Sequence, residues 1–346
     1  MFKVTMIGAG SVVFVKNLLT DILDFEALRD VTIALHDIDA ERLETAGLMA
    51  QWTAAQFSAH PQIELHADRR AALDGADFVI NMVQIGMHEA TLIDFDIPRR
   101  YGLKQTIADT LGIGGIFRGL RTIPFMTALV ADMRDVCPVA LLLNYTNPMS
   151  ILTQAVYEAF PEQKVVGLCH NIQNTARDLA GYLGVPTEEL SYDCAGINHM
   201  CWFLKLRIGA EDAYPLLWKA AEQPEIVAQD KVRFELMRVF GRFISESSEH
   251  NAEYTPHFLR SEAEIAHYDV PVDEYVRRSE RNLGRYAETR RKLLAGEPFP
   301  IERSAEYGSL IIHAMVTGEA RVIYGNVRNT GSVSYTHLRA HETRED

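Results

Sequence analysis

Short apolar segments alternate with longer amphipathic ones through the first half of the chain. Residues 3–7 and 31–35 are short runs rich in apolar and β-branched side chains, and residues 12–23 between them place apolar side chains at helical spacing. The pattern therefore predicts a strand, a helix and a second strand. It continues with predicted strands at residues 63–66, 78–82 and 139–143, and predicted helices at residues 40–57 and 122–136. Such an alternation is typical of a parallel sheet with helices on both faces.

The pattern changes in the second half of the chain. Residues 191–194 and 200–208 resemble strands of an antiparallel or mixed sheet, and helical spacing dominates afterwards. These features predict an α/β fold with a Rossmann-type doubly wound sheet, similar to that of lactate and malate dehydrogenases, and a second α+β substrate domain. We predict a dinucleotide-binding domain over residues 1–165 and a substrate domain over residues 166–331. Residues 332–346 are polar and lack an apolar period, so we interpret them as a non-native tail.

Composition narrows the classes of function. The chain has 346 residues, with 34 Lys and Arg against 47 Asp and Glu, and its net charge of −13 argues against nucleic acid or an anionic membrane as a partner. A small neutral substrate fits better. No apolar stretch has the length of a membrane span, and the first residues enter a strand rather than a signal peptide, which predicts a cytoplasmic protein. Four cysteines are too few for a disulfide framework, so thiol or metal chemistry is expected.

The segment after the first predicted strand is a candidate dinucleotide site. Gly8, Gly10 and Ser11 form the turn into the first helix, while Val13 stands where the full fingerprint has its third glycine. The partial motif alone is weak evidence, but the strand before it and the helix after it strengthen the prediction, since helix amides can receive a pyrophosphate. The alternative is an ordinary turn between a strand and a helix.

An acidic residue at the end of the second strand supports the same site. Asp37 is positioned to accept a hydrogen bond from a ribose hydroxyl, and Asp39 is the alternative. A carboxylate at this place would repel a 2′-phosphate. The sequence therefore favours NAD over NADP.

Cys169 and His170 form the most informative pair in the chain. They follow the apolar residues 164–168 and precede a predicted helix at residues 171–183, whose N-terminus favours a thiolate. A thiolate and the imidazole of His199, further along the chain, can bind a transition metal. The alternatives are an inert buried thiol and a core histidine within an apolar strand region. Because adjacent side chains diverge, we expect one member of the pair to be a ligand and the other an acid.

Three further segments carry polar chemistry. Asn147 precedes Pro148, so it is either the cap of a helix that begins at the proline or a substrate contact. Asp109 and Arg118 flank a glycine-rich stretch that we interpret as a loop able to approach a ligand, the alternative being a surface turn. Residues 245–254 are either a solvated face or, as we interpret them, the rim of an active site, where Tyr254 is a candidate base if a cation lowers its pKa.

Five motifs together resemble glycoside hydrolase family 4, the NAD- and manganese-dependent glycosidases, and specifically its melibiase-type α-galactosidases. The motifs are GLCHNIQ, CAGINHMCW, QTIADTLGIGGIFRGLRTIP, NYTNPM and ESSEHNAEY. The resemblance runs from residue 3 to about residue 331. Family members continue for roughly a hundred residues more, so we expect a C-terminally truncated chain with an incomplete substrate domain. The family is an exception to glycosidase schemes that use two carboxylates.

The resemblance implies both an activity and roles for residues. It implies that Cys169 and His199 bind Mn²⁺, that His170 donates a proton and that Asn147 contacts the sugar. Tyr254 is our candidate for the base, since other members use a Tyr or Asp beyond the second metal ligand. The implied activity is hydrolysis of α-galactosides by oxidation, elimination and addition with NAD and Mn²⁺, in a homo-oligomer. The alternatives are an α-glucosidase or α-galacturonidase of the same family, a lactate or malate type dehydrogenase, and an inactive remnant.

Overall fold

Two sheets organise the chain in the computed structural model, which describes residues 2–329 and 338–341. Within these residues the main sheet has eight strands in the order β11-β10-β6-β5-β4-β1-β2-β3, and the second sheet has three strands in the order β7-β8-β9. The strands are β1 (Lys3–Ile7), β2 (Thr32–His36), β3 (Gln62–His66), β4 (Phe78–Asn81), β5 (Leu141–Asn144), β6 (Val165–Gly167), β7 (Leu190–Ile197), β8 (Met200–Ile208), β9 (Glu211–Asp212), β10 (Gly325–Arg328) and β11 (Leu338–His341).

Strands β1 to β6 are mutually parallel and follow the order of a doubly wound dinucleotide-binding sheet. Their carboxyl ends therefore lie at one edge of the sheet. Strand β10 extends the sheet as an antiparallel neighbour of β6 and of β11. The chain thus returns to the first sheet after it has built the second one.

Helices cover both faces of the main sheet. The helices of both halves of the described chain are α1 (Val12–Asp24), α2 (Ala40–Gln56), α3 (Arg69–Leu73), α4 (Met87–Arg100), α5 (Gly112–Val136), α6 (Met149–Ala159), α7 (Asn171–Leu183), α8 (Tyr214–Ala220), α9 (Pro224–Val227), α10 (Lys231–Phe240), α11 (Ser248–Tyr254), α12 (Glu262–Tyr268), α13 (Glu274–Ala295) and α14 (Gly308–Thr317). One core joins the sheet to α1, α2 and α14, and another joins its opposite face to α3, α5 and α6. Successive leucines of β5 alternate between the two cores, as the pleat of a strand requires.

The second sheet packs on α7, α8 and α10 around the buried residues Phe203, Phe234 and Phe243. Strands β7 and β8 form an antiparallel hairpin whose two-residue connection is Asn198-His199. Helix α13 lies across α2 and α4 and so joins the C-terminal half to the first sheet. No helix in the described part of the chain is long and apolar enough to span a membrane.

The predicted fold class is confirmed, and so is the helix at residues 171–183. The domain boundaries remain a prediction. Of the segment at residues 332–346, only Leu338–His341 belongs to the described residues, so the interpretation of this segment as a tail lies mostly outside them.

The interpretation of the glycine-rich stretch as a loop is wrong. Helix α5 begins at Gly112, so Gly114 and Gly115 are helical. A Cβ atom on Gly114 would lie 2.6 Å from the carbonyl oxygen of Ala108, and one on Gly115 would lie 2.5 Å from the carbonyl carbon of Thr110. These glycines therefore let the start of the helix pack against the chain that precedes it.

Two local predictions also need correction. Helix α6 begins at Met149, and Pro148 is its N-cap residue rather than its first helical residue. Asn147 still contributes to the helix start, because its Oδ1 accepts a hydrogen bond from the Met149 amide at 3.3 Å. His199 lies in the hairpin connection rather than within a strand.

Candidate active site

The turn between β1 and α1 is packed closely against the end of β2 and needs glycine at two positions. Gly8 has a φ of 84°, which favours glycine. A Cβ atom on Gly10 would lie 2.5 Å from an oxygen of Asp37, so only glycine fits there. Val13 is 43% exposed, which means that the missing third glycine causes no crowding. Ser11 is exposed and its side chain makes no capping hydrogen bond to α1.

The two acidic residues after β2 have different partners. The Asp37 carboxylate accepts hydrogen bonds from the Gly10 amide at 2.7 Å and from the Asp39 amide at 3.0 Å. The Asp39 carboxylate accepts from the Arg42 amide at 3.0 Å and caps α2. Asp37 therefore contacts the glycine turn directly, whereas Asp39 has a structural partner of its own.

Three candidate metal ligands meet at the carboxyl end of β6. Cys169 Sγ lies 3.4 Å from His199 Nε2, and this nitrogen lies 3.6 Å from Glu246 Oε2. The ligand atoms of the three residues all lie within 4.8 Å of one another. The residues come from the segment after β6, the β7-β8 hairpin and the segment before α11, so tertiary structure alone brings them together.

The backbone at this cluster is held in an uncommon conformation. His199 has a φ of 64° and Glu246 has a φ of 69°, both in the left-handed region. For residues other than glycine, this backbone conformation costs of the order of 1 kcal/mol or more, and it often occurs at functional sites. Both polar atoms of the Asn198 side chain are buried, and this amide lies close enough to Cys169 to oppose the rise that burial causes in the pKa of its thiol. The hairpin turn thus places the polar side chains of Asn198 and His199 in a buried position.

The protonation states match those of metal ligands. Burial lowers the pKa of His199 to about 4, so this imidazole is neutral near pH 7 and able to ligate. Burial opposes the ionisation of Glu246, but His250, His199 and His170 outweigh it and lower the pKa of this carboxyl to about 2. Burial and the Glu246 charge raise the pKa of the Cys169 thiol well above its usual value. A divalent cation would supply the positive charge that stabilises the thiolate form of Cys169.

A second group of buried ligand atoms adjoins the first and shares His199. It contains Asp109 and His250, with Asp109 Oδ1 at 3.9 Å from His250 Nε2. Burial opposes ionisation of Asp109, yet the nearby His250, His199 and Arg118 lower the pKa of its carboxyl. Asn147 Nδ2 donates a hydrogen bond to Asp109 Oδ2 at 3.2 Å. Asn147 and Asp109, both predicted as substrate contacts, therefore lie side by side.

Arg118 is buried in the first turns of α5. Its Nη1 donates a hydrogen bond to the Tyr275 hydroxyl at 3.3 Å, and its guanidinium carbon lies 5.5 Å from the centre of the Tyr275 ring. The alternative of a surface turn carrying Asp109 and Arg118 is wrong, because both side chains are buried.

His170 has a carboxylate partner outside the metal cluster. Its Nδ1 lies 2.7 Å from Glu306 Oε1, and its side chain is 48% exposed, whereas that of Glu306 is only 6% exposed. The hydrogen bond to Glu306 raises the pKa of His170. Cys169 and His170 therefore have separate partners, in keeping with the expectation that adjacent side chains diverge.

Tyr254 lies at the end of α11, with its hydroxyl 3.3 Å from His199 Nδ1. Burial raises the pKa of this phenol well above 10, and the charges of Asp109, Glu253 and Glu246 act in the same direction. A base role for Tyr254 would therefore depend on a bound cation that reverses this electrostatic balance. Its place beside the metal cluster is compatible with that requirement.

Sequence reasoning missed several residues of the site. Glu246, His250 and Glu253 fall within the stretch interpreted as an active-site rim, but nothing in the pattern singled them out. Glu253 accepts hydrogen bonds from the amides of Thr106, Ile107 and Ala108, at 2.8, 3.1 and 2.8 Å. Glu306 carried no signal at all.

The parallel sheet and the groups at its carboxyl edge define a class of protein, namely a Rossmann-type enzyme with a candidate metal centre beside the dinucleotide turn. The family model described as family 4 glycosyl hydrolase matches residues 3–185, and the model of that family's C-terminal domain matches residues 194–336. The chain belongs to family 4 of the glycosyl hydrolases, and the resemblance inferred from its motifs is confirmed.

Two curated relatives and one solved structure illustrate the similarity. An alpha-galactosidase of Bacillus subtilis is 44% identical, covering 96% of this chain and 78% of the relative. An alpha-galactosidase of Rhizobium meliloti is 35% identical, covering 96% of this chain and 70% of the relative. A 6-phospho-alpha-glucosidase from gut microorganisms, solved in complex with NAD and Mn²⁺, is 22% identical with a TM-score of 0.78, covering 98% of this chain and 80% of that one.

Proposed function

We propose that this chain hydrolyses α-galactosides and that it requires NAD and Mn²⁺. Family membership supports a glycosidase, and the two relatives at 44% and 35% identity are both alpha-galactosidases. The observation that carries the proposal is the cluster of Cys169 Sγ, His199 Nε2 and Glu246 Oε2 at the edge of the sheet that also presents the glycine turn.

The glycine turn fits a dinucleotide. Gly8 and Gly10 let the turn pack closely against Val83 and Asp37. The turn leads into the first turn of α1, whose amides and dipole favour a pyrophosphate. The exposed Ser11 hydroxyl is available for a phosphate oxygen. Asp37 would accept a ribose hydroxyl, whereas Asp39 is engaged as the cap of α2. When bound, NAD would supply reversible two-electron oxidation of a sugar carbon.

The cluster fits a divalent metal. Cys169 would contribute a thiolate, His199 a neutral imidazole and Glu246 a carboxylate, and the carboxylate is the type of donor that suits Mn²⁺. The low pKa of about 4 for His199 leaves it free of a proton at neutral pH. When bound, Mn²⁺ would act as a Lewis acid for oxygen atoms of the sugar.

Two side chains would move protons. His170 would donate a proton to the aglycone oxygen through its exposed ring, because its other nitrogen is held by Glu306. Tyr254 would accept the proton from C2 of the sugar, since its hydroxyl lies at the cluster, 3.3 Å from the His199 ring. The two groups lie on separate segments, as an acid and a base acting on different sugar atoms require.

Three side chains would contact the sugar. Asn147 and Asp109 form a polar pair next to His250, and they would bind the sugar hydroxyls. Arg118 presents guanidinium hydrogens beside Tyr275 and would bind a further oxygen atom.

We also propose a cytoplasmic location and a homo-oligomeric state. A reducing compartment would keep Cys169 and the other three cysteines as free thiols, the state in which the structure shows them.

The proposal is tested by turnover of p-nitrophenyl α-galactoside with NAD, Mn²⁺ and a thiol reductant. Activity should disappear with a chelator and return with Mn²⁺. Cys169→Ser should lower Mn²⁺ affinity at least about 10-fold and reduce turnover in parallel, whereas Cys137→Ser, at a buried thiol remote from the site, should leave both unchanged.

Activity that resists the chelator, or that survives in Cys169→Ser, would refute the metal role. A parallel panel of α-glucosides and α-galacturonides tests the choice of sugar. Faster turnover of either than of the α-galactoside would refute that part of the proposal.

A further inference from the structure

Glu306 is a buried carboxylate whose histidine partner lies in the candidate active site. Its side chain is 6% exposed, and its ion pairs in the described part of the chain comprise His170 alone. Its second oxygen, Oε2, is buried without a hydrogen-bond partner. A buried carboxylate that lacks a full set of partners is costly, so this arrangement is not explained by packing.

The segment that carries Glu306 is fixed from three sides. The Ser304 amide donates a hydrogen bond to Asp21 of α1 at 2.7 Å. The Ala305 carbonyl accepts one from Gln173 of α7 at 2.8 Å, and the Gly308 amide donates one to the Tyr145 hydroxyl at 2.8 Å. The position of the Glu306 carboxylate is therefore set by the scaffold on both sides of the residue.

The contact determines which nitrogen of His170 carries a proton. An ionised carboxylate can only accept hydrogen bonds. If Glu306 is ionised, its Oε1, 2.7 Å from Nδ1, requires the proton of neutral His170 to be on Nδ1. The other nitrogen, Nε2, then gains a proton only in the imidazolium form, and the His170 side chain as a whole is 48% exposed.

We propose that Glu306 is a positioning residue that orients His170 and fixes its tautomer, so that Nε2 is the nitrogen that delivers the proton to the leaving group. This inference rests on the proposed function, in which His170 is the proton donor. When the C1–O bond breaks, its electron pair stays on the aglycone oxygen, and that oxygen takes the Nε2 proton. His170 is left neutral with its remaining proton on Nδ1, where Glu306 accepts the hydrogen bond.

The first test is independent of activity. In ¹⁵N-histidine-labelled protein, with the His170 signals assigned by their loss in His170→Asn, the neutral ring should be in the Nδ1–H tautomer. Glu306→Gln should shift His170 toward a mixture of tautomers, because a neutral amide can both donate and accept. Glu302→Gln, at an exposed position four residues earlier, should leave the spectrum unchanged. A neutral Nε2–H tautomer in the unmodified protein would overturn the proposal, whether or not any variant folds.

The second test compares leaving groups. Methyl α-galactoside needs protonation of its leaving oxygen, whereas p-nitrophenolate leaves without it. Glu306→Gln should lower kcat about 10- to 100-fold for the methyl glycoside and less than about 3-fold for the p-nitrophenyl glycoside, with KM little changed. In a His170→Asn background, Glu306→Gln should add no further loss. Equal losses for the two substrates would indicate a merely structural role and overturn the inference.

The two levels of the proposal fail in different ways. If the unmodified protein hydrolyses no α-galactoside with NAD and Mn²⁺, the proposed function fails. The tautomer of His170 still tests whether Glu306 orients the ring. If hydrolysis occurs and the leaving-group preference does not change in Glu306→Gln, the role of Glu306 fails alone. Thermal unfolding of each variant serves as the control for folding. Mn²⁺ affinity does not serve this purpose, because burial raises the pKa of the Cys169 thiol and the Glu306 charge raises it further.

Discussion

The two carboxylates after β2 allow a sharp test of cofactor binding. Asp37 contacts the glycine turn through the Gly10 amide at 2.7 Å, whereas Asp39 caps α2 through the Arg42 amide at 3.0 Å. We predict that Asp37→Asn weakens NAD binding and that Asp39→Asn does not. The pair is matched, because the residues lie two positions apart and each substitution removes one negative charge. Asn is also as good an N-cap as Asp, so Asp39→Asn should leave α2 intact.

The magnitude follows from the hydrogen bonds. A hydrogen bond to a charged group contributes about 1.5–3 kcal/mol, which corresponds to roughly a 10- to 150-fold change in Kd. The side-chain amide introduced by Asp37→Asn would offer one oxygen instead of two to the Gly10 amide, the Asp39 amide and a ribose hydroxyl. The loss for NAD should therefore lie in this range. The loss for NADP should be smaller, because the repulsion of its 2′-phosphate disappears together with the charge.

Calorimetric titration of both variants with NAD and with NADP measures these differences directly. Thermal unfolding in the absence of nucleotide provides the control, since a variant that is simply destabilised would lose affinity for both cofactors equally. If Asp39→Asn weakened NAD binding more than Asp37→Asn, the assignment of the ribose contact to Asp37 would be refuted. An unchanged Kd in Asp37→Asn would refute the use of a carboxylate at this position altogether.

Two further predictions concern the scaffold. Arg233 is 3% exposed and pairs with the buried Asp230, so Arg233→Met should cost about 3–5 kcal/mol in the free energy of unfolding measured with urea. Arg238→Met, at an exposed pair on the same helix, should cost less than about 1 kcal/mol, and similar losses would contradict this account. Gly10→Ala should weaken NAD binding, because the added Cβ would lie 2.8 Å from Arg42 Cβ and 2.5 Å from an Asp37 carboxylate oxygen, which would have to move. Gly181→Ala is the control, because Gly181 lies in a helix with open space where an added Cβ would lie, and it should keep NAD affinity and add about 0.5–1 kcal/mol of stability. Unchanged NAD affinity in Gly10→Ala would contradict the steric argument.

Much of the fold could be predicted because its signals are local. The helix at residues 171–183 is present as Asn171–Leu183, and the strand predicted at residues 200–208 is present as Met200–Ile208. In both segments the spacing of apolar residues reflects a face packed on one core. Helix α5 differs, since its first turn is made of glycines whose usual signal is a loop. Their true role is close contact with residues 108–110, which the sequence does not reveal.

The candidate site was harder to predict because its contacts are not local. Glu306 is 136 positions away from His170, and no motif surrounds it. Glu246 lies in a stretch that was recognised as polar, but its contact with His199 depends on a left-handed backbone conformation at both residues. Such conformations are imposed by tertiary structure and leave no periodic pattern. The motifs could therefore identify which segments meet, but not which atoms do.

The contacts of Glu253 explain how two distant segments form one wall of the site. Its carboxylate accepts hydrogen bonds from three consecutive amides, those of Thr106, Ile107 and Ala108, and so fixes the chain just before Asp109. Glu253 stands on α11, the helix that also carries His250. Asp109 and His250 are thus positioned by the same helix, although they are far apart in the sequence.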